Sequence, residues 1–169
     1  IIFFPLVVIT SMSIVLIPDI AENVEKKEYM LLEERLTQVI KLSFLIGLAT
    51  LIVCFSIPTS LGKLFFARDD LGTYIKFAAI SAPFTYLSVT TFSILNGLGK
   101  QGVLLRNSII VAVEELILLY ILTSIPSINI LGYGISLLIT SITSFILNIH
   151  EINKKCYMEF HNENIFIDI

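Results

Sequence analysis

The chain has 169 residues, of which 56% are hydrophobic and 15% charged, with a net charge of −3 and a mean hydropathy of +0.90. Soluble domains average roughly 45–50% apolar and about 25% charged residues, so this chain has too few charges to coat a water-facing surface. Disorder, a disulfide scaffold (Cys54 and Cys156 are the only cysteines) and nucleic-acid binding, which needs a basic face, are excluded, and a membrane protein is indicated.

In chain order, uncharged stretches mark where helices of about 20 apolar residues can cross the hydrocarbon core. The first covers about 1–17. It begins without Met inside an apolar stretch and has no basic leader, so the chain is expected to be a piece of a longer protein with a truncated first span. Residues 19–40 follow, rich in charge, with Ile20–Val24 and Leu32–Leu36–Ile40 at four-residue spacing. That spacing predicts an amphipathic helix in the water-facing layer, with Pro18 at its start. It serves either as a lipid-surface element or as a solvated connector.

Full spans are predicted over about 42–62, 77–99, 107–125 and 129–149. Pro83 is expected to kink the second of these, and a tight turn at Pro126 and Ser127 separates the last two. Residues 151–169 read as a tail, or as a loop leading to a further span. None of the runs alternates with period two, so the expected class is all-α, a multi-pass bundle over 1–150 with four full spans and one truncated.

The connections 19–41, 100–106 and 151–169 alternate onto one face and hold eight of the 11 Lys and Arg residues, which places that face in the cytoplasm. His150 is expected to close a helix at the interface, where a cation suits the terminal dipole.

Nothing in the sequence forms a catalytic constellation. His150 and His161 lack Cys or carboxylate neighbours at metal-ligand spacing, and Gly97–Gly102 follows a helix and lacks phosphate-loop spacing. No enzyme activity, metal or cofactor is expected.

Glu114 and Glu115 are the one costly feature, because a carboxylate inside a span must face a cavity, find a partner or sit shallow. Glu114 lies about 10 Å into its span at 1.5 Å per residue. Two readings stand: ion or substrate coupling, or a structural pair bonded to Ser and Thr of neighbouring helices. Hydroxyls recur through the spans, and Ser136–Thr140–Thr143/Ser144 marks one helical face, which suits packing between helices.

Two strings resemble a known family. Leu16-Ile17-Pro18-Asp19-Ile20-Ala21-Glu22, at a span end before a charged helix, resembles the stretch after the eighth helix of the stage V sporulation protein B family of polysaccharide exporters. Ser93-Ile94-Leu95-Asn96-Gly97-Leu98-Gly99-Lys100 resembles that family's signature at the cytoplasmic end of its tenth helix. The family belongs to the multidrug/oligosaccharidyl-lipid/polysaccharide superfamily, with its MATE-like fold of two six-helix lobes.

The resemblance implies a partial second lobe, from the eighth to the twelfth helix of fourteen. It implies a bacterial cytoplasmic-membrane transporter that flips an undecaprenyl-linked glycan, such as a cell-wall precursor, by alternating access. Pro18, Glu22, Asn96, Gly97, Gly99 and Lys100 are then family-motif residues with structural roles. The implied partners are membrane lipids, the glycan substrate and the remainder of the same polypeptide. A cation-coupled drug exporter of the same fold, with Glu114 or Glu115 as coupling site, is the nearest alternative, and a non-transporting scaffold subunit is another.

Overall fold

The computed structural model describes residues 4–125 and 130–167, with side chains described for 4–125 and 131–154. Among the described residues every regular element is helical: α1 (Leu6–Glu25), α2 (Tyr29–Ser56), α3 (Pro58–Phe66), α4 (Gly72–Ile80), α5 (Ala82–Gly97), α6 (Gln101–Thr123) and α7 (Ile130–Ile167). The expected all-α membrane bundle is what the chain forms. α1, α2 and residues 131–154 of α7 are long and apolar enough to cross a membrane, and α4 and α5, bent by 42° at their junction, reach that length and hydropathy only when taken together. α6 is long enough at 23 residues, but Arg106, Glu114 and Glu115 lie along it. Its Ile109, Ile110, Val113, Leu116 and Ile117 are exposed, an apolar face suited to lipid rather than water.

The helix boundaries differ from the sequence reading most clearly in four places. First, the helix expected over 19–40 is divided between α1 and α2. α1 runs straight through Pro18 to Glu25, and the chain reverses at Lys26–Glu28. The reversal lets Leu16 and Ile20 pack beside Leu32 and Leu36, in one cluster with Ile94, Leu95, Leu98, Leu104 and Ile152. One straight helix would carry those two pairs past each other. Second, α2 is continuous from the charged segment into the span, because Leu32, Leu36, Ser43, Gly47, Thr50 and Cys54 form a single buried stripe along its 28 residues.

Third, the uncharged run 42–62 is broken at Ile57. Pro58 has no N–H to continue α2 and instead opens α3 at a position where proline is tolerated. Fourth, α7 does not stop at 149 but runs on to Ile167, so His150 lies inside a helix and not at its end. The turn expected at Pro126 and Ser127 lies outside the described residues.

Pro83 has the expected effect. Ser81 ends α4 with a bond from its N–H to the Ala78 carbonyl, and α5 starts anew with Pro83 in its first turn. On the far side, the Arg68 guanidinium donates to Asp70 (Nε to Oδ1, 2.9 Å) and holds its carboxyl below the usual carboxylate range.

Both α1 and α5 end in the same cap. Lys27 (φ 60°) and Gly99 (φ 70°) take the left-handed conformation. The Glu28 and Lys100 N–H groups reach back to the Asn23 and Leu95 carbonyls, each at 3.0 Å. That is the Schellman arrangement, which favours glycine at the left-handed position. Exchanging the residues there therefore has opposite signs. In thermal unfolding of the full-length protein, Gly99→Ala should destabilise and Lys27→Gly should stabilise, by about 1 kcal/mol each.

Candidate functional site

α5 occupies the centre, with 11 of its 16 residues buried, and its hydroxyls face two ways. Toward α2, Thr90 shares a hydrogen bond with Ser43 at 2.6 Å, and Tyr86 with Thr50 at 3.3 Å. Toward α7, Thr85 pairs with Ser141 at 2.9 Å, and Ser88 donates to Ser144 at 2.7 Å. The polar residues of α7 therefore serve two helices, since Thr143 turns instead to α6. In a water-free interior a hydroxyl must bond to its own helix or a neighbour, and these contacts set helix positions.

Glu114 is where this seam meets charge. Its Oε1 accepts a hydrogen bond from Thr143 Oγ1 at 2.9 Å, while its Oε2 is buried with no partner among the described residues. Glu115 is half-buried on an adjoining face, about 100° away, so the two acids do not form one site. Only Glu114 is brought to the hydroxyl seam. A carboxylate with one bonded and one bare oxygen can accept a proton or coordinate a small cation without rearranging its existing partner. Among the described residues no group of three His, Cys, Asp or Glu side chains could hold a metal ion.

A second polar group sits nearer the α6 start. Asn107 Nδ2 donates to Asn148 Oδ1 at 3.0 Å, with both residues almost fully buried, and Arg106 Nη2 donates to Glu151 Oε1 at 2.7 Å. Arg106 Nη2 also reaches Asn107 Oδ1 at 3.1 Å, so the two pairs form one network from α6 to α7. Charge-based reading of the sequence overlooked this network because Asn148 is neutral. The signal that would have found it is a primary amide inside an apolar run, as costly unpaired as a charge is conspicuous. A double-mutant cycle with Asn107→Leu and Asn148→Leu should report a coupling of about 1 kcal/mol in unfolding of the full-length protein, within the range measured for bonds between membrane helices. Additive losses would show that the amides contribute independently.

The motif residues are gathered as well. Gly97 lies against α1: a Cβ there would be 2.9 Å from Ile20 Cβ and 3.1 Å from the Ile17 carbonyl oxygen. The strings Leu16–Glu22 and Ser93–Lys100, 77 residues apart when counted from their first members, thus pack directly on each other. Around this contact, Glu22 pairs with Lys26 at 2.5 Å, and Asn96 Oδ1 accepts from Gln101 Nε2 at 2.5 Å. Lys100 precedes the first turn of α6, and Pro18 is exposed within α1. None of these six residues hydrogen-bonds or ion-pairs with Glu114.

Residues 1–121 match the family model described as MatE. Over 147 residues the sequence is 26% identical to stage V sporulation protein B of Bacillus subtilis (strain 168), an alignment covering 85% of this chain and 28% of that protein. The chain therefore spans less than a third of that relative's length. No solved structure shows a significant match.

Proposed function

The chain belongs to the MatE family, and we propose that the protein it represents is a transporter of the bacterial cytoplasmic membrane, not an enzyme. In this reading it flips a lipid-linked oligosaccharide or peptidoglycan precursor, carried on undecaprenyl, by alternating access. The observation that carries the reading is the family match over residues 1–121. The relative's name attaches sporulation to that protein, which supports an envelope precursor as the substrate here.

The role of this segment follows from its chemistry. Hydroxyl pairs along α5 join α2 and α7 into one body, the kind of unit that rocks during alternating access. Glu114 favours a second reading, a cation-coupled drug exporter of the same fold, because its bare Oε2 suits ion or proton uptake.

The test is reconstitution of the full-length protein in liposomes. Movement of a fluorescent undecaprenyl-linked oligosaccharide between leaflets supports the flippase. Ion-driven extrusion of a cationic dye without glycan movement supports the exporter. Neither activity from correctly inserted protein leaves a scaffold subunit.

The acids are tested separately in the same liposomes. Glu114→Gln with Glu115→Gln should leave insertion intact and abolish any ion dependence of transport. Unchanged flux and unchanged ion dependence would remove Glu114 and Glu115 from the coupling mechanism.

A further inference from the structure

Between α1 and α2, at the charged end of the bundle, runs a groove of about 360 Å³. Met12 and Val15 of α1 and Val39 of α2 form its apolar wall, while Asp19, Arg35 and Gln38 stand at its mouth. Asp19 and Arg35 line the same opening, yet among the described residues neither is held in an ion pair. Gln38 is engaged through its Nε2, which donates to Glu34 Oε1 at 3.0 Å, and its carbonyl oxygen is left over.

The depth of these residues is readable from the helices. Asp19 is the first charge after the apolar stretch of α1, and Lys41 is the last before the uncharged stretch of α2. Met12 and Val15 lie one to two turns toward the hydrocarbon from Asp19, and Val39 lies one turn that way from Arg35. The mouth therefore faces the headgroup layer and the wall faces the acyl chains.

Charge selects the occupant. A ligand that is only an anion would meet Arg35 but also Asp19, with the Glu34 carboxylate held on Gln38 at the same mouth. A zwitterion with phosphate and ammonium a few ångströms apart meets one opposite charge at each end. An ammonium carrying N–H donors bonds a carboxylate, which a quaternary one cannot.

We propose that this groove binds a zwitterionic phospholipid of the phosphatidylethanolamine class, its phosphate on Arg35, its ammonium on Asp19 and one acyl chain along Met12, Val15 and Val39. The site requires only a membrane setting and is independent of what the protein transports.

Native mass spectrometry of the full-length protein in detergent, offered phosphatidylethanolamine, phosphatidylglycerol and phosphatidylcholine in turn, tests it. The unaltered protein should retain the ethanolamine lipid about fivefold over either of the others, the factor one exposed charge-assisted contact supplies. Arg35→Gln should remove that retention, Arg35→Lys should keep it, and Asp19→Asn should shift the preference to phosphatidylglycerol. Glu25→Gln, at the end of α1 and outside the groove, should change nothing. Equal retention of all three lipids, none of any, a preference for phosphatidylglycerol in the unaltered protein, or an unaltered preference in Arg35→Gln or Asp19→Asn would each overturn the proposal.

Discussion

Gly47→Ala should destabilise the full-length protein by about 2 kcal/mol, a large loss for one added methyl group. Gly47 lies on the buried stripe of α2, directly over the bend between α4 and α5. A Cβ placed there would come within 2.5 Å of Pro83 Cα, 3.1 Å of its nitrogen and 3.2 Å of its Cβ. These atoms belong to the backbone and to a ring closed upon it, so no side-chain rotation can clear the space. Either α2 withdraws or the bend opens, and overpacking of this kind costs about 1–3 kcal/mol even after the helical preference for alanine is credited. Gly102→Ala is the matched control, because nothing lies within 4 Å of its Cβ position and alanine is the better helix former. Unfolding in increasing detergent denaturant should separate the two variants in opposite directions. Equal behaviour would mean that α2 and the bend are not in contact in the assembled protein.

Gly97→Ala should also be harmful, at about 1.5–2 kcal/mol. Here the obstruction is part side chain, Ile20 Cβ at 2.9 Å and Cγ2 at 3.1 Å, and part backbone, the Ile17 carbonyl oxygen at 3.1 Å. Removing Cγ2 frees some of the space, so Ile20→Ala combined with Gly97→Ala should lose less than the two single losses added together. Strict additivity would show that α1 and α5 do not rely on this close approach. The contact also explains the two glycines of the Leu-Asn-Gly-Leu-Gly-Lys string: Gly97 permits helix approach, and Gly99 permits the left-handed cap.

The sequence reveals the membrane character and most of the helical segments because charge in hydrocarbon is expensive, so an uncharged run is a strong physical signal. It is a poor guide to where helices end. Pro58 is uncharged, and the run 42–62 conceals a break that backbone chemistry imposes. Conversely, charge before Lys41 or beyond His150 does not stop a helix in water, so α2 starts at Tyr29 and α7 continues past His150. Lys27 carries no local sign of a turn, since lysine seldom adopts positive φ; the packing of Leu32 and Leu36 on Ile20 dictates the reversal. Glu114 could be recognised as needing a partner, but choosing Thr143 over the other hydroxyls required knowing how α6 faces α7. The Asn107–Asn148 pair was invisible to a search for charge and for catalytic spacing.

The hydroxyls of α5 also bear on how the protein is made. Thr85 and Ser88 each meet a partner on α7 that lies 56 residues later in the chain. At roughly 5–20 residues per second, that partner emerges about 3–11 s after its mate. During the wait Thr85 donates to the Ser81 carbonyl at 2.9 Å, and Thr91 to the Leu87 carbonyl at 2.9 Å, bonds that need only α5 itself. α5 can thus enter lipid with the Thr85 and Thr91 hydroxyls already satisfied, while Ser88, whose bond is to Ser144, awaits α7.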